Sequence, residues 1–536
     1  MILDFIKKYA DYLSVSFLAV LSFSLNYFPK NLTEFDNLFH LASGSLYRER
    51  GLFFNDFRWE SYSIFGEYMS DIWYGFHLII SIFTTNDNYE LSGKIATAFL
   101  TFILLVSFYF VLRKLNVKYA LFCTVFLIFS SIGEIIRMTD LRPQIIISGL
   151  IVLFFYYLAW EKNNKALFVI SLLFTFIEVS MIWLPVSIFV FYWLGQNLSK
   201  FFRLDWRGLY SGLKIYFISF AWIISGLVIG SFLRPGPISG LYLTYYQIVY
   251  LFGVKLSGVV LPWGTELYRL NKDGFASLLP LLFITLITFA VWFTTRSTSH
   301  FTERENEFIF ATYFQAFVFT LIAIFVANRS SDILSIFSVL ALAITFPYCY
   351  TKIPEKIQKK ITNRIIFVFF FFTFFYGGLL SLIFYHNVYG RDVDSYRDTA
   401  EYLMNNTEAG SVVAHLNFNE YSGLFLWNKH NVYQNHSDPI FEYAYNPKVY
   451  SQFLCGLVDI GAKEDIYSSY VSDEEIANYC QKYERRDLLK VIKEDMAADY
   501  IFIGENKPIR VIKYLLSQRK VKLLYSGKSS LVFEIE

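Results

Sequence analysis

Apolar runs alternate with short polar breaks from the N-terminus to about Tyr385, and most are long enough to cross a hydrocarbon core of roughly 30 Å. The first follows Lys7 and Lys8 and ends near Phe28. Others lie near 91–112, 119–136, 143–160, 166–195, 213–232, 274–295, 307–327, 331–350 and 364–385. The run 166–195 is long for one crossing and short for two, carries Glu178 at its middle and has basic loops at both ends. It therefore reads as a tight hairpin of two short helices. The pattern predicts a polytopic α-helical membrane protein with about eleven crossings. The first run is long and lacks a small-residue cleavage site, so it reads as a retained helix. Lys7 and Lys8 put the N-terminus in the cytoplasm, as does the most basic loop, Lys352–Arg364; the first loop (30–88) and the tail then lie outside. Leu241–Trp263, with four tyrosines and Lys255 among apolar residues, reads as re-entrant or interfacial on the outer side.

The first loop opens with a different pattern. In Asn31–Gly51, Phe35, Leu38, Phe39, Ala42 and Leu46 recur at helical spacing, while Asp36, His40, Ser43, Gly44 and Tyr47 fall on the other side. This predicts a helix resting in the membrane interface, capped by Thr33 and ended by Arg48, Arg50 and Gly51. Asp36 and His40 are one turn apart and are expected to face one space. Thr33-x-x-Asp36 also fits a helix-capping pattern, and a lone interfacial His is commonly a hydrogen-bonding residue. A second amphipathic stretch, DIWYGFHLIISIF, begins at Asp71.

Charged residues return beyond Asp392. Periodicity there predicts a helix over Ser395–Met404, a strand over Ser411–Leu416, a helix near Arg485–Met496 and a strand over Tyr500–Gly504. A helix near Ile509–Ser517 and two short strands joined at Ser526–Ser529 follow. The division expected is a transmembrane domain over 1–388 and an extracytoplasmic α/β domain over 389–536. No repeat, phosphate loop or low-complexity segment occurs.

Composition agrees with a membrane protein: 536 residues, 55% hydrophobic, 20% aromatic and 17% charged, with a mean hydropathy of +0.40. A formal charge of +2 supplies no basic face for a nucleic-acid partner. Four cysteines form no CxxC pair, which excludes zinc and redox motifs of the usual spacing. In an external tail, Cys455 and Cys480 would meet conditions in which a disulfide persists, although sequence does not fix their separation.

Ionisable groups at membrane depth are costly and line polar cavities or pair together. Here they gather near the expected outer edge: Asp36, Asp71 and Glu178, then Arg137, Arg142 and Arg329 at span ends. Acids in the first loop beside arginines at later spans suit a site that grips an anionic group next to a catalytic carboxylate.

FDNLFHLASGSLYRERGLFFNDF, followed by SIFGEYMSDIW, resembles the first external loop of bacterial integral-membrane glycosyltransferases of the C superfamily (the GT-C fold). LRPQ at Leu141–Gln144 resembles that group's Arg-Pro at the head of a span. VLPWGTELY resembles its external Trp segment, and ANRSSDILSIFSVLALAITFP its Arg-headed span. In the tail, NEYSGLFLW resembles its strand with aromatic-Gly-Tyr-Leu, and HSDPIFEYAYNPKVYSQF its Asp-containing turn. The likeness covers most of the chain. Two departures stand out: the first loop has no acidic D-x-D pair, and Ser422-Gly423 replaces a double Gly. The first argues against a metal of the oligosaccharyltransferase kind, while leaving a divalent metal open.

The resemblance implies an inverting transfer at the outer membrane face, from a sugar on a polyprenyl phosphate to an acceptor hydroxyl on a glycan, lipid or protein. Asp36 would be the general base, with His40 orienting it or touching the sugar and Asp71 binding the acceptor. Arg142, Arg329 and Arg137 would hold the leaving phosphate. A polymerase or ligase of lipid-linked glycans, a flippase or transporter of lipid-linked intermediates, and a non-catalytic scaffold are the other readings.

Overall fold

A computed structural model describes residues 2–32, 34–84, 88–262, 264–296, 301–352, 392–417, 420–434, 438–463, 471–504 and 508–536. The Thr33 cap, the span 364–385 and the basic loop beyond Lys352 lie outside the described residues.

Among the described residues, six helices are long and apolar enough to cross a membrane: Tyr89–Lys114, Gln144–Glu161, Val179–Gln196, Lys272–Thr295, Glu303–Phe325 and Ser330–Thr351. Two bent pairs raise the number to as many as eight. The chain also begins with a helix, Ile2–Tyr27. The run 166–195 divides as its central acid suggested: Asn164–Ile177 ends where Glu178 turns to extended backbone, and the next helix starts at Val179. The Val179 N–H is claimed by the Ile72 carbonyl at 3.0 Å, so the first loop enters the break.

The run 119–136, expected as one span, is instead two helices, Ala120–Ile128 and Gly133–Thr139, bent by 89°. Serines cause the break. Ser130 Oγ donates back to the Leu127 carbonyl, and Ser131 Oγ accepts from Glu134 N, capping the second helix. The other bent pair, Tyr216–Phe232 and Pro237–Leu256, turns by 113° at Arg234-Pro235-Gly236. The second of these helices carries Ile238, Tyr242, Tyr245, Val249, Phe252 and Leu256 exposed along one side. That suits the interfacial character read from the sequence.

The loop helix forms over Phe35–Arg50, and Gly51 ends it with a φ of 91°, a backbone state that Gly adopts without strain. It does not rest on a membrane with one polar face in water. Asn37 through Tyr47 are all buried, because the tail helix Glu420–Trp427 and the short helix Tyr74–Ser81 enclose it from two sides. Small residues allow the approach. A Cβ on Gly44 would stand 2.8 Å from Ile80 Cγ2, and one on Gly75 would stand 2.5 Å from the Phe176 carbonyl oxygen. Alternation of polar and apolar positions thus marked the helix correctly and misassigned what covers it.

The tail holds a five-stranded sheet in the order β2-β1-β3-β5-β4, with β1 at Val412–His415, β2 at Val432–Tyr433, β3 at Tyr500–Ile503, β4 at Val521–Ser526 and β5 at Leu531–Ile535. β1 runs parallel to β2 and β3, and β5 is antiparallel to both its neighbours. The helices Arg397–Asn406 and Ile509–Ser517 fall where periodicity put them. NEYSGLFLW is an exception: Glu420–Trp427 is helical, not a strand, and its Leu424 and Phe425 are buried. Cys455 and Cys480 form a disulfide with Cα atoms 5.6 Å apart.

The free edge at β2 is where the first loop attaches. Tyr433 N donates to the Trp59 carbonyl at 2.7 Å, while Ser61 N and Tyr62 N donate to the Tyr433 and Gln434 carbonyls at 2.8 Å. Side chains repeat the join: Tyr421 Oη donates to Glu60 at 3.1 Å and Lys429 Nζ to Ser45 Oγ at 3.0 Å. First loop and tail therefore pack as one body.

Candidate functional site

Arg137, Arg142 and Arg329 lie far apart in sequence, and the fold brings them to one carboxylate. Glu266 Oε2 is 3.3 Å from Arg137 and 3.3 Å from Arg142, and its Oε1 is 3.6 Å from Arg329. Glu266 sits in the short turn Thr265–Leu267, within VLPWGTELY. Backbone bonds hold that turn beside the last arginine: Arg329 N donates to the Glu266 carbonyl at 3.0 Å and Asn328 N to that of Tyr268 at 2.7 Å. Glu266 drew no role from the sequence. Three cations around it were the missing signal, and only the fold supplies them.

Arg142 also reaches the loop helix. Its Nη2 lies 2.8 Å from Asp36 Oδ2 and bonds Glu34 as well. Asn37, next to Asp36, accepts from Leu141 N at 2.9 Å, so the first turn of the helix sets the position of the LRPQ segment. Arg137 bonds Asp332 at 2.8 Å, and Arg329 lies 3.7 Å from the fully buried Glu178. A network of arginines and acids thus links the loop helix, the heads of two spanning helices and the break at Glu178.

Asp36 keeps 35% of its side chain exposed, so it borders an approachable space. Its recessed position raises the carboxyl above its ordinary value, although the charge of Arg142 works in the opposite direction. Glu266 behaves the other way: burial alone would raise it, but Arg329, Arg142 and Arg137 together hold it far below the usual carboxylate range. Asp438, from the tail, feels Glu266 and Asp36 and caps the helix Pro439–Tyr445 by accepting from Ile440 N at 3.2 Å. Burial pushes it up to about 6.

His40 and Asp71 fall in a second, separate group. His40 Nδ1 is 2.8 Å from His77 Nε2, and His77 Nδ1 is 2.6 Å from Asp71 Oδ2. Tyr47 Oη donates to the same Asp71 oxygen at 3.0 Å, and Trp73 N donates to the other at 2.8 Å. Burial tends to raise Asp71, but His77, Arg234 and the Trp73 N–H outweigh it and lower the carboxyl. Asp71 therefore holds a negative charge inside the protein and is only 2% exposed. It is closed to an acceptor.

The expectation that His40 shares a space with Asp36 also needs correction. Its ring is 4% exposed and packs edge-on against Trp73 and Phe76, turned toward the helix Tyr74–Ser81. With neutral rings, His77 Nδ1–H donates to the Asp71 carboxylate and His77 Nε2 accepts from His40 Nδ1–H. His77 escaped notice as one polar residue in an apolar stretch. Buried Arg234 faces this group and donates to the Ile72 carbonyl at 3.2 Å.

Asp36, Glu34 and Glu266 share Arg142 as a partner. Among the described residues, no group of three or more His, Cys, Asp or Glu could hold a metal ion.

No family model matches the sequence, and no curated protein matches it. Solved structures do. The ArnT structure from Cupriavidus metallidurans in the apo state aligns over 97% of both chains with a TM-score of 0.53 at 11% identity. The apo oligosaccharyltransferase of Archaeoglobus fulgidus aligns over 93% of this chain and 70% of its own, with a TM-score of 0.52 at 12% identity. At such low identity the likeness speaks for architecture alone, and it extends through both the helical part and the tail. The chain shares the fold of these two structures.

Proposed function

We propose that the chain transfers a sugar from a polyprenyl-phosphate-linked donor to an acceptor hydroxyl at the outer face of the cytoplasmic membrane. One observation carries the reading: three arginines from distant elements converge on Glu266, and one of them is paired with the approachable carboxylate of Asp36. Guanidinium forks match phosphate oxygens and gain strength where water is scarce. In the transfer, the acceptor oxygen attacks the anomeric carbon, the bond from that carbon to the phosphate oxygen breaks, and Asp36 takes the acceptor's proton. Arg142 and Arg329 exchange part of their hold on acids for the departing phosphate, with Arg137 behind them.

Attack opposite the leaving group inverts the anomeric carbon. The N-terminus is cytoplasmic, and a transmembrane domain over 1–388 carries an extracytoplasmic domain over 389–536 that covers the first loop. The oligosaccharyltransferase of A. fulgidus has been captured with a tethered acceptor peptide containing the NVT sequon. That precedent supports an acceptor site on this fold.

The test is incubation of purified protein with a labelled lipid-linked sugar and an acceptor extract. Release of free polyprenyl phosphate with label passing to acceptor is expected, and Asp36→Asn should abolish both. Movement of intact lipid-linked sugar across a bilayer with no phosphate released would identify a flippase instead.

A further inference from the structure

The outer edge of the tail carries charge that sugar transfer does not use. Between Glu505 and Glu534 the chain has seven Lys or Arg and no Asp or Glu. The other 40 basic residues are outnumbered by 45 acidic ones, so the whole positive surplus resides in this stretch. Arg510, Lys513, Arg519, Lys520 and Lys522 are exposed on the helix Ile509–Ser517, on β4 and between them. Lys522 stands opposite Glu534 in the β4–β5 ladder; the other four form no ion pair among the described residues.

Aliphatic side chains lie among these cations. Ile509 and Leu516 are 68% and 58% exposed, on the same face of the helix as Lys513, while Val511 and Leu515 fill the inner face. Lysines on an edge strand commonly serve to block pairing with another sheet. That accounts for Lys520 and Lys522 but not for the helix, which has no open ladder to protect.

Position discriminates further. β4 is the opposite edge of the sheet from β2, the edge seated on the first loop. The turn that follows β4 is tied down where Ser529 Oγ donates to the Ser395 carbonyl at 2.5 Å. Two residues on, Arg397 lies 4.4 Å over the Trp427 ring, and Trp427 meets Tyr89 edge-on at 5.3 Å. Tyr89 is the first residue of a spanning helix. These contacts hold the β4–β5 turn near the head of that span.

We propose that this edge, with Arg510, Lys513, Arg519 and Lys520 around Ile509 and Leu516, rests on the anionic headgroup surface of the membrane. Cations meet lipid phosphates, and the aliphatic tips enter the acyl boundary. The contact braces the tail over the first loop. It depends on the membrane-spanning fold and is independent of sugar transfer.

The full chain, with Cys123 and Cys349 replaced by Ser, is placed in nanodiscs of phosphatidylcholine alone or with about a third phosphatidylglycerol. A fluorophore at Leu516→Cys is read against a quencher on the lipid headgroup. In anionic discs about half of the emission should be lost, recovering in about 1 M NaCl, where screening is strong. Lys513→Glu with Lys520→Glu should abolish the quenching, whereas Lys→Arg at both should keep it; a probe at Ile509 repeats the measurement should Leu516→Cys fold poorly. Equal quenching in both discs, or none in either, overturns the proposal. So does protection of the probe from iodide by soluble polyphosphate with no effect of lipid charge, which would make the partner a soluble polyanion.

Discussion

Arg142 Nη2 lies 2.8 Å from Asp36 Oδ2, joining the base and the phosphate clamp of the proposed reaction in one ion pair. Each therefore limits the other. The arginine offsets part of the upward pull that its recessed position exerts on the carboxyl, and the carboxylate keeps the guanidinium at the mouth of the site until a phosphate competes for it.

Replacing Asp36 by Asn should reduce turnover about 100- to 10,000-fold, the usual worth of a positioned general base, with folding intact. The wild-type rate should rise with pH along a limb displaced upward from that of an ordinary Asp, because Asp36 acts only when ionised and its pKa is raised. Steady-state kinetics between pH 4 and 8 would reveal this. Near-normal turnover in the Asn variant would remove Asp36 from the chemistry.

Arg142→Lys and Arg329→Lys keep charge but lose the planar fork. Donor KM should rise more than acceptor KM in both. An equal rise in the two constants, or none, would assign these arginines to structure alone.

Glu266→Gln tests the hub. The three arginines hold its folded pKa far below 4.5, so its stabilisation is fully present above pH 4.5 and disappears as pH falls toward the folded value. The variant should be less stable at pH 7, by about 1.5–3 kcal/mol for lost charged hydrogen bonds, and its deficit should shrink on acidification. Thermal melts in detergent at pH 7 and pH 4 would measure the difference. A deficit that grows toward acid would contradict the assignment.

Much of this arrangement was legible in the sequence. Asp36 and three arginines are charges that a membrane protein retains at a cost, and that physical improbability marked them without any geometry. The break at Glu178 was visible in the length of its run and in the basic loops at both ends. His40, Asp71 and the environment of the loop helix were misread because periodicity reports which residues share a face and not what covers it. The tail helix Glu420–Trp427 covers that face, and its own residues looked like a strand, since EYSGLFLW is rich in aromatics that favour either state. Glu266 stood among the charges retained at the outer edge but drew no role, because its partners are distant in the chain, and His77 had no local signature.

Close packing at two glycines offers a check that does not depend on chemistry. A methyl group at Gly75 would lie 2.5 Å from the Phe176 carbonyl oxygen, where backbone must move, and one at Gly44 would lie 2.8 Å from the Ile80 side chain. Gly75→Ala should destabilise by about 1–3 kcal/mol, and Gly44→Ala by less, because a side chain yields more easily than backbone. The reverse order would show that Phe176 can retreat and that the first loop is less firmly seated than its contacts indicate.

Orientation in the membrane decides which chemistry the site can meet. In the proposed orientation, which rests on the alternation of basic loops along the chain, Lys162–Lys165 and Lys352–Arg364 belong to the cytoplasm, with the first loop and the tail opposite. Ser45 would be a poor place to read this, since it is 3% exposed and receives a bond from Lys429. Phe53 is 84% exposed in the same loop, and Lys165 and Glu474 are exposed in a basic loop and in the tail. Single cysteines at these three positions, in a chain lacking Cys123 and Cys349, would be treated in intact cells with an impermeant thiol reagent. Phe53→Cys and Glu474→Cys should label, and Lys165→Cys only after lysis. The opposite pattern would put Asp36 and its arginines in the cytoplasm, where a nucleotide sugar is the more accessible donor, and a lipid-linked substrate on the outer face could not reach them.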